Sequence, residues 1–441
     1  MNQSFPPRTL DPVVLAVGLL LCGSAQAVDY GPFSLNGFAK AEWTSVSALC
    51  AHCQALEGEG KQRQWADPLV QGVEYGRGTT HVTLVQPYLG AKFDVPYGFK
   101  VGGLLSQRWR DGKPDFKGFW YDRNLYLSHD DWGSVRVGAM TTRAWSVADY
   151  PYGTNVGVAD AWGASGAGYG LLTRALRVTS RVLDVADGDL VLEASYDRGR
   201  PGWHINKPRF VELYAQYHRG DLVVDAMYQD TKNGTPSAFG HGPFTGLTPF
   251  PRDDALLGSS SQGIAMVMAR YQVDSRLEVS GGMRGNRWSG AYARVTVPAQ
   301  YNTGSGVAQL AQWNEMFNVD WSKDLGGGVY KGYPATSLDV LLGARYRWGP
   351  WTASAGMVHL GAAATANPDD RGQSNAATVN TLGLNYDFKN GAQVYGSAGM
   401  VNYARKGLSP LSMPSNSAFT NIDSRLKTRG TWITVGAVYA F

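Results

Sequence analysis

Cys50 and Cys53 enclose Ala51 and His52 in the stretch CAHC, the densest grouping of reactive side chains in the sequence. Covalent haem attachment needs a histidine directly after the second cysteine, and Gln54 stands there instead. A dithiol redox site needs a βαβ setting, which the surrounding sequence lacks. A metal site needs two further ligands; His52 is near, but no second cysteine pair exists. In an oxidising compartment the plain expectation is a local loop disulfide with no catalytic role, a metal site being the competing reading.

Other catalytic patterns are weaker still. No Gly-x-Ser-x-Gly elbow occurs, and the seven histidines (52, 81, 129, 204, 218, 241, 359) show no HExxH spacing. Gly166-Ala-Gly168-Tyr-Gly170 invites a phosphate-loop reading, but the following TRALRVTSRV has strand rather than helix character. No catalytic residue, metal or cofactor is expected.

What remains is a large set of charged side chains placed in alternating segments. In DLVLEASYD, Leu190, Leu192, Ala194 and Tyr196 share one face, while Asp189, Glu193, Ser195 and Asp197 share the other. In DLVVDAMYQ, Leu222, Val224, Ala226 and Tyr228 oppose Asp225 and Gln229. Such segments, about 10 to 14 residues long, recur along the whole chain. Tight polar turns join them in pairs at 95–98, 131–134, 186–189, 219–221, 273–275, 348–350 and 389–391. Long irregular stretches join one pair to the next.

Seven hairpins, an opening strand FSLNGFAKAEWTSV (33–46) and a closing strand TWITVGAVYAF predict sixteen strands. The expected fold is all-β: a transmembrane antiparallel up-and-down barrel, with short turns at one rim and long loops at the other. Eighteen strands would require WNEMFNVDW (313–321) to be a strand as well. A soluble sandwich has the same period, but not long loops confined to one side, nor Trp109, Trp120, Trp288, Trp348 and Trp351 at strand ends, where interfacial girdles place aromatic rings. Ending on Phe441 in mid-strand is explained if the last strand pairs with the first and leaves no free edge.

Composition agrees. Only 17% of the residues are charged, against roughly 25% in soluble domains, and the formal charge of +4 is too small and dispersed for nucleic acid. Residues 1–27 read as a signal peptide: Arg8, an apolar run Val13 to Leu21 too short to span, then Ala25-Gln26-Ala27. Cys22 raises a lipoprotein alternative, though the three leucines before it lack the small residues such a site prefers. Residues 28–441 form the barrel domain, whose first strand begins too early for an N-terminal plug.

NLYLSHDDWGSVRVGAMTT (124–142) with its long following loop resembles the Gram-negative general porin family, and the layout matches over roughly 28–441. Leu127 and Gly138 hold family positions, while Ala139 replaces the customary arginine and the usual acidic loop-tip motif is missing. The resemblance implies a multi-pass protein of the bacterial outer membrane, in contact with lipid and lipopolysaccharide. It implies a homotrimer forming a water-filled diffusion channel for ions and small hydrophilic solutes. It also implies that the insertion machinery recognises Phe441, and that loop 143–172, with Asp149, Tyr150, Tyr152 and Asp160, narrows the pore. A substrate-specific channel for a small organic acid or sugar is the alternative reading, and a barrel lipid hydrolase a remote one.

If the polar faces enclose water, parity places Arg108, Arg110, Arg136, Arg177, Arg181, Arg270, Arg284, Arg345 and Arg347 inside, with Glu193, Asp225, Asp339 and Asp387. Nine arginines against four carboxylates predict weak anion selectivity. The competing reading is that some of these arginines merely pair with carboxylates across the wall.

Overall fold

The computed structural model describes residues 28–46, 78–114, 120–143, 171–198, 209–232, 261–293, 319–324, 329–362, 364–366, 371–372, 374, 376–389, 391–404 and 428–441. Residues 1–27, expected as a signal peptide, Cys50, Cys53 and residues 144–170, with Asp149, Tyr150, Tyr152 and Asp160, lie outside them.

Sixteen antiparallel strands form the wall. They are β1 (Phe33–Val46), β2 (Gly78–Asp94), β3 (Phe99–Ser106), β4 (Arg123–His129), β5 (Gly133–Thr141), β6 (Leu171–Thr179), β7 (Gly188–Asp197) and β8 (Arg209–Arg219). They continue as β9 (Leu222–Lys232), β10 (Ser261–Gln272), β11 (Leu277–Ala293), β12 (Val329–Trp348), β13 (Trp351–Leu360), β14 (Ala377–Asp387), β15 (Ala392–Tyr403) and β16 (Arg429–Ala440). Each pairs with its sequence neighbours, and β1 pairs with β16 from Phe38↔Ala440 to Val46↔Trp432. The cylinder is closed, so none of the sixteen wall strands is left with a free edge to template aggregation.

The seven hairpins follow the turn chemistry. Gly98, Gly133, Gly220, Gly349 and Gly391 take positive φ at turns, where a Cβ is costly. Ala186 and Asp187 adopt the left-handed region between β6 and β7 without a glycine. Of segment 313–321 only residues 319–321 are described, and the wall closes with sixteen strands. Val319–Asp324 is a short strand that pairs only with the upper end of β12, through Val319↔Gly332 and Asp320↔Lys331, while β11 and β12 pair directly. The barrel has sixteen strands because β11 and β12 extend as one long hairpin past the rim, and the short strand rides on that extension.

Burial along each strand is the reverse of a soluble protein's. Outward rows such as Leu125, Leu127, Val135, Val137, Leu382, Leu384, Ile433 and Val435 are exposed, whereas Glu193, Glu212, Asp225, Arg284 and Asp339 are buried. Exposed aliphatic surface is unfavourable in water by roughly 25 cal/mol per Å² and neutral against acyl chains. A sandwich would turn these rows inward. Here they ring the outside, and the ionised side chains face the enclosed space.

Aromatic rings crowd the short-turn rim. Phe33 stacks edge-on with Phe93, Phe99 with Trp132, Trp351 with Tyr386, and Tyr386 with Phe388. Tyr439 and Phe441 continue the row. This is a girdle at one membrane interface. Trp348 and Trp351 belong to it, and Trp120 is exposed near the opposite rim. Trp109 is half-buried, and the side chain of Trp288 lies outside the described part.

Candidate pore lining

Alternation along β4–β9 brings one polar band together on the inner wall. Register aligns Arg136 of β5 with Arg177 of β6, Arg177 with Ser195 of β7, Ser195 with Glu212 of β8, and Glu212 with Gln229 of β9. One level nearer the short turns, Thr179 faces Glu193, Glu193 faces Tyr214, and Tyr214 faces Met227.

The centre of this band is a pair of glutamates gripped by arginines. Arg143, two residues past β5, donates from Nε and a terminal nitrogen to Glu193 at 2.6 and 2.7 Å. Its backbone N–H donates to Glu212 Oε1 at 2.8 Å. Arg177 bridges the same two carboxylates at 3.1 and 3.5 Å, and donates to Ser195 Oγ and the Thr141 carbonyl. Thr179 Oγ1 donates to Glu193, and the Gln229 amide to Glu212. A bidentate charge-assisted contact fixes orientation as well as adding energy. It holds the chain leaving β5 across the inner faces of β6, β7 and β8.

The pairs are layered. The Arg143 side chain is 38% exposed while that of Glu193 is 1% exposed. The carboxylates therefore lie against the wall, and a guanidinium stands between them and the enclosed space.

Neighbouring polar groups follow the same logic. Arg136 donates to Asn124 Oδ1 at 2.8 Å and lies over the Tyr126 ring. Arg108 lies over the Tyr121 ring, beside Ser106, which donates to Asp122 Oδ2 at 2.6 Å. Asp225 accepts from the Tyr214 hydroxyl and from Gln216. Gly138 takes φ +126° at a register shift between Gly138 and Met140, where a Cβ would sit 2.3 Å from the Arg123 carbonyl oxygen. Only glycine fits there.

The remaining candidates divide. Arg284 donates to Asp339 at 2.6 Å with both side chains buried, and Asp339 also accepts from Asn286 and the Gly361 N–H. Arg345 pairs with Glu278 at 2.6 Å. Arg110 and Arg270 are half-buried. Arg347 and Asp387 are exposed near the short-turn rim, where Gln393 donates to Asp387.

Arg181 stands at an irregularity just past the end of β6. Thr179 pairs with Glu193 but Leu183 pairs with Leu190, so one extra residue is inserted between β6 and the short strand Leu183–Val185. Parity counted through this bulge fails, and Arg181 lies exposed outside the strand.

Four residues absent from the sequence-based set belong to the inner wall: Arg143, Glu212, Glu278 and Glu42, the last of which accepts from the Tyr395 hydroxyl and pairs with Lys40. Glu278 sits on the polar parity of β11 and was readable, whereas Glu212 stands between the inward Phe210 and Tyr214 of β8. Arg143 lies beyond a strand end, where parity says nothing.

A closed antiparallel barrel with an aliphatic exterior, an aromatic rim and ion pairs along its interior is a multi-pass outer-membrane channel of the bacterial type. The chain belongs to the Gram-negative porin family, whose model matches residues 13–406. It is thus a channel rather than an enzyme. No curated protein matches it in sequence. Among solved structures it is similar to an anion-selective porin from Comamonas acidovorans, at 12% identity and a TM-score of 0.56, covering 94% of this chain and 100% of that one. It is also similar to the trimer form of OmpT from Vibrio cholerae, at 14% identity and 0.56, with coverage of 94% and 100%. At these identities the likeness concerns the fold.

Proposed function

We propose that this porin conducts small hydrophilic solutes passively, with a weak preference for anions set by Arg136 of β5, Arg177 of β6 and Arg143 just past β5. The observation that carries this is the layering of Arg143 over Glu193: 38% against 1% side-chain exposure. A permeating ion approaches the guanidinium first and the carboxylate only through it. Rings of wall charge set ion preference, and the buried carboxylates hold that preference to a mild one.

Arg108, Arg110, Arg136, Arg177, Arg181, Arg270, Arg284, Arg345, Arg347, Glu193, Asp225, Asp339 and Asp387 are proposed as pore-wall groups. Anchorage of Arg143 across the inner face favours a constriction formed by the loop that follows it, with Asp149, Tyr150, Tyr152 and Asp160 as its polar and aromatic members. The anion-selective relative from Comamonas acidovorans and the trimer form of OmpT support weak anion selectivity and a trimeric assembly for this chain too.

Charge reversal is the test. Arg143→Glu is expected to move the reversal potential in a KCl gradient toward potassium. An unchanged reversal potential overturns the role given to Arg143.

A further inference from the structure

The outer wall carries a charged cluster that channel function does not use. Arg209 of β8, Asp230 of β9 and Arg287 of β11 all lie on the parity that faces the membrane, together with Leu213, Tyr228 and Met283. Arg209 and Arg287 each donate to Asp230 at 2.8 Å, and Arg287 also donates to the Tyr228 hydroxyl at 3.1 Å. Their side chains remain 47% and 50% exposed, while Asp230 is 16% exposed. Two arginines share one carboxylate, so the cluster presents one net positive charge on an aliphatic surface.

Its depth is defined by the strand. Arg287 stands ten residues above Leu277, where β11 leaves the aromatic rim. At ~3.3 Å per residue and a tilt of ~40°, that is about 25 Å, the height of the apolar band. The cluster therefore sits at the headgroup level of the leaflet on the long-loop side.

Directly beneath it the outer face carries a shallow, open depression. A groove of about 840 Å³ runs down the outside of β6–β11. Ala194, Ala215, Ala226, Ala265 and Gly285 form its floor, and Leu213, Val267 and Met283 stand along it. Tyr228 lines the groove and holds Arg287, so the groove and the cationic cluster are continuous. Arg287 lies close over Gly263, where a Cβ would sit 2.7 Å from its Nε.

We infer that this is a binding site for one phosphorylated lipid of the long-loop leaflet, its phosphate on Arg209 and Arg287 and an acyl chain in the groove. Charge complementarity selects the head, since an exposed guanidinium pair with a single counter-ion takes a second anion bidentately. The apolar floor selects the tail. A second copy of this chain offers the cluster no anion among the described outward rows of β6–β11 other than Asp230 itself, and a zwitterionic lipid gains less from the net charge.

The full-length protein in detergent, titrated with lipid A or with dioleoylphosphatidylcholine and analysed by native mass spectrometry, tests the site. Lipid A is expected to be retained at least tenfold more than phosphatidylcholine, and Arg209→Gln/Arg287→Gln to remove that preference. Ala265→Phe, which fills the groove and leaves the charges, is expected to lower retention of both lipids. Single-channel conductance of these variants is expected to match the parent, which separates failure of this site from failure of the channel. Equal retention of the two lipids by the parent, undiminished lipid A on the double variant, or disulfide-linked dimers of Ala265→Cys in place of bound lipid would overturn the inference.

Discussion

Gly37 and Phe441 close the barrel by exchanging both backbone hydrogen bonds. The Gly37 N–H donates to the Phe441 carbonyl at 2.8 Å, and the Phe441 N–H to the Gly37 carbonyl at 3.0 Å. A Cβ on Gly37 would lie 2.8 Å from the Phe441 ring and 2.6 Å from the Gln86 carbonyl oxygen. The glycine is therefore the seat of the terminal ring, and Gln86 and Pro87 on the other side leave no room to shift.

Gly37→Val is accordingly expected to weaken closure. Overpacking against backbone costs about 1–3 kcal/mol, read as a lower midpoint in urea and as loss of the heat-modifiable folded band at lower temperature. A midpoint equal to the parent's would show that closure does not depend on this contact.

Arg284 and Asp339 form the most deeply buried ion pair described. Removing one partner of such a pair costs about 3–5 kcal/mol, because a buried charge loses a hydrogen-bonded counter-charge. Asp339→Ala is expected to lower stability by that amount, and Arg284→Met/Asp339→Leu by much less. The urea midpoints of the single and double variants decide it.

Leu382 faces outward on β14 and is among the most exposed aliphatic side chains. If it touches acyl chains near mid-membrane, Leu382→Arg costs about 2–4 kcal/mol. In an aqueous setting the same change would be neutral or favourable. Equilibrium unfolding in lipid vesicles separates the two outcomes by sign.

At the turn between β10 and β11, Asp274 accepts from the N–H groups of Arg276 and Leu277 at 2.7 and 2.8 Å. These two bonds hold its carboxyl below the ordinary carboxylate range. A depressed folded value means that the contribution is fully present above the unfolded pKa of about 3.9 and is lost as pH falls through the folded value. Asp274→Ala is expected to lower the urea midpoint at neutral pH, and the difference from the parent is expected to shrink once the pH drops below the unfolded value. A pH-independent difference would assign the effect to packing instead.

The hairpins were legible because their turns carry glycine, aspartate or asparagine, and because period-2 alternation survives over ten residues even where neither face is wholly apolar. Three features escaped. Phe210 and Tyr214 lie on the inner face of β8, so the strand reads as apolar on both sides and hides Glu212 between them. The bulge before Leu183 shifts parity by one, which no local composition marks, so alternation alone assigns Arg181 no face. Arg143 acts from outside any strand, and only the fold brings it to Glu193, fifty residues further on. Long-range ion pairing of this kind has no signature in spacing.

The most direct measurement is the current through purified protein in a planar bilayer under a KCl gradient. Stepwise openings and a reversal potential displaced modestly toward chloride are the predicted result. Cation preference would contradict the layered wall, with guanidinium groups between the lumen and their carboxylates, and a membrane that stays silent would contradict the channel itself.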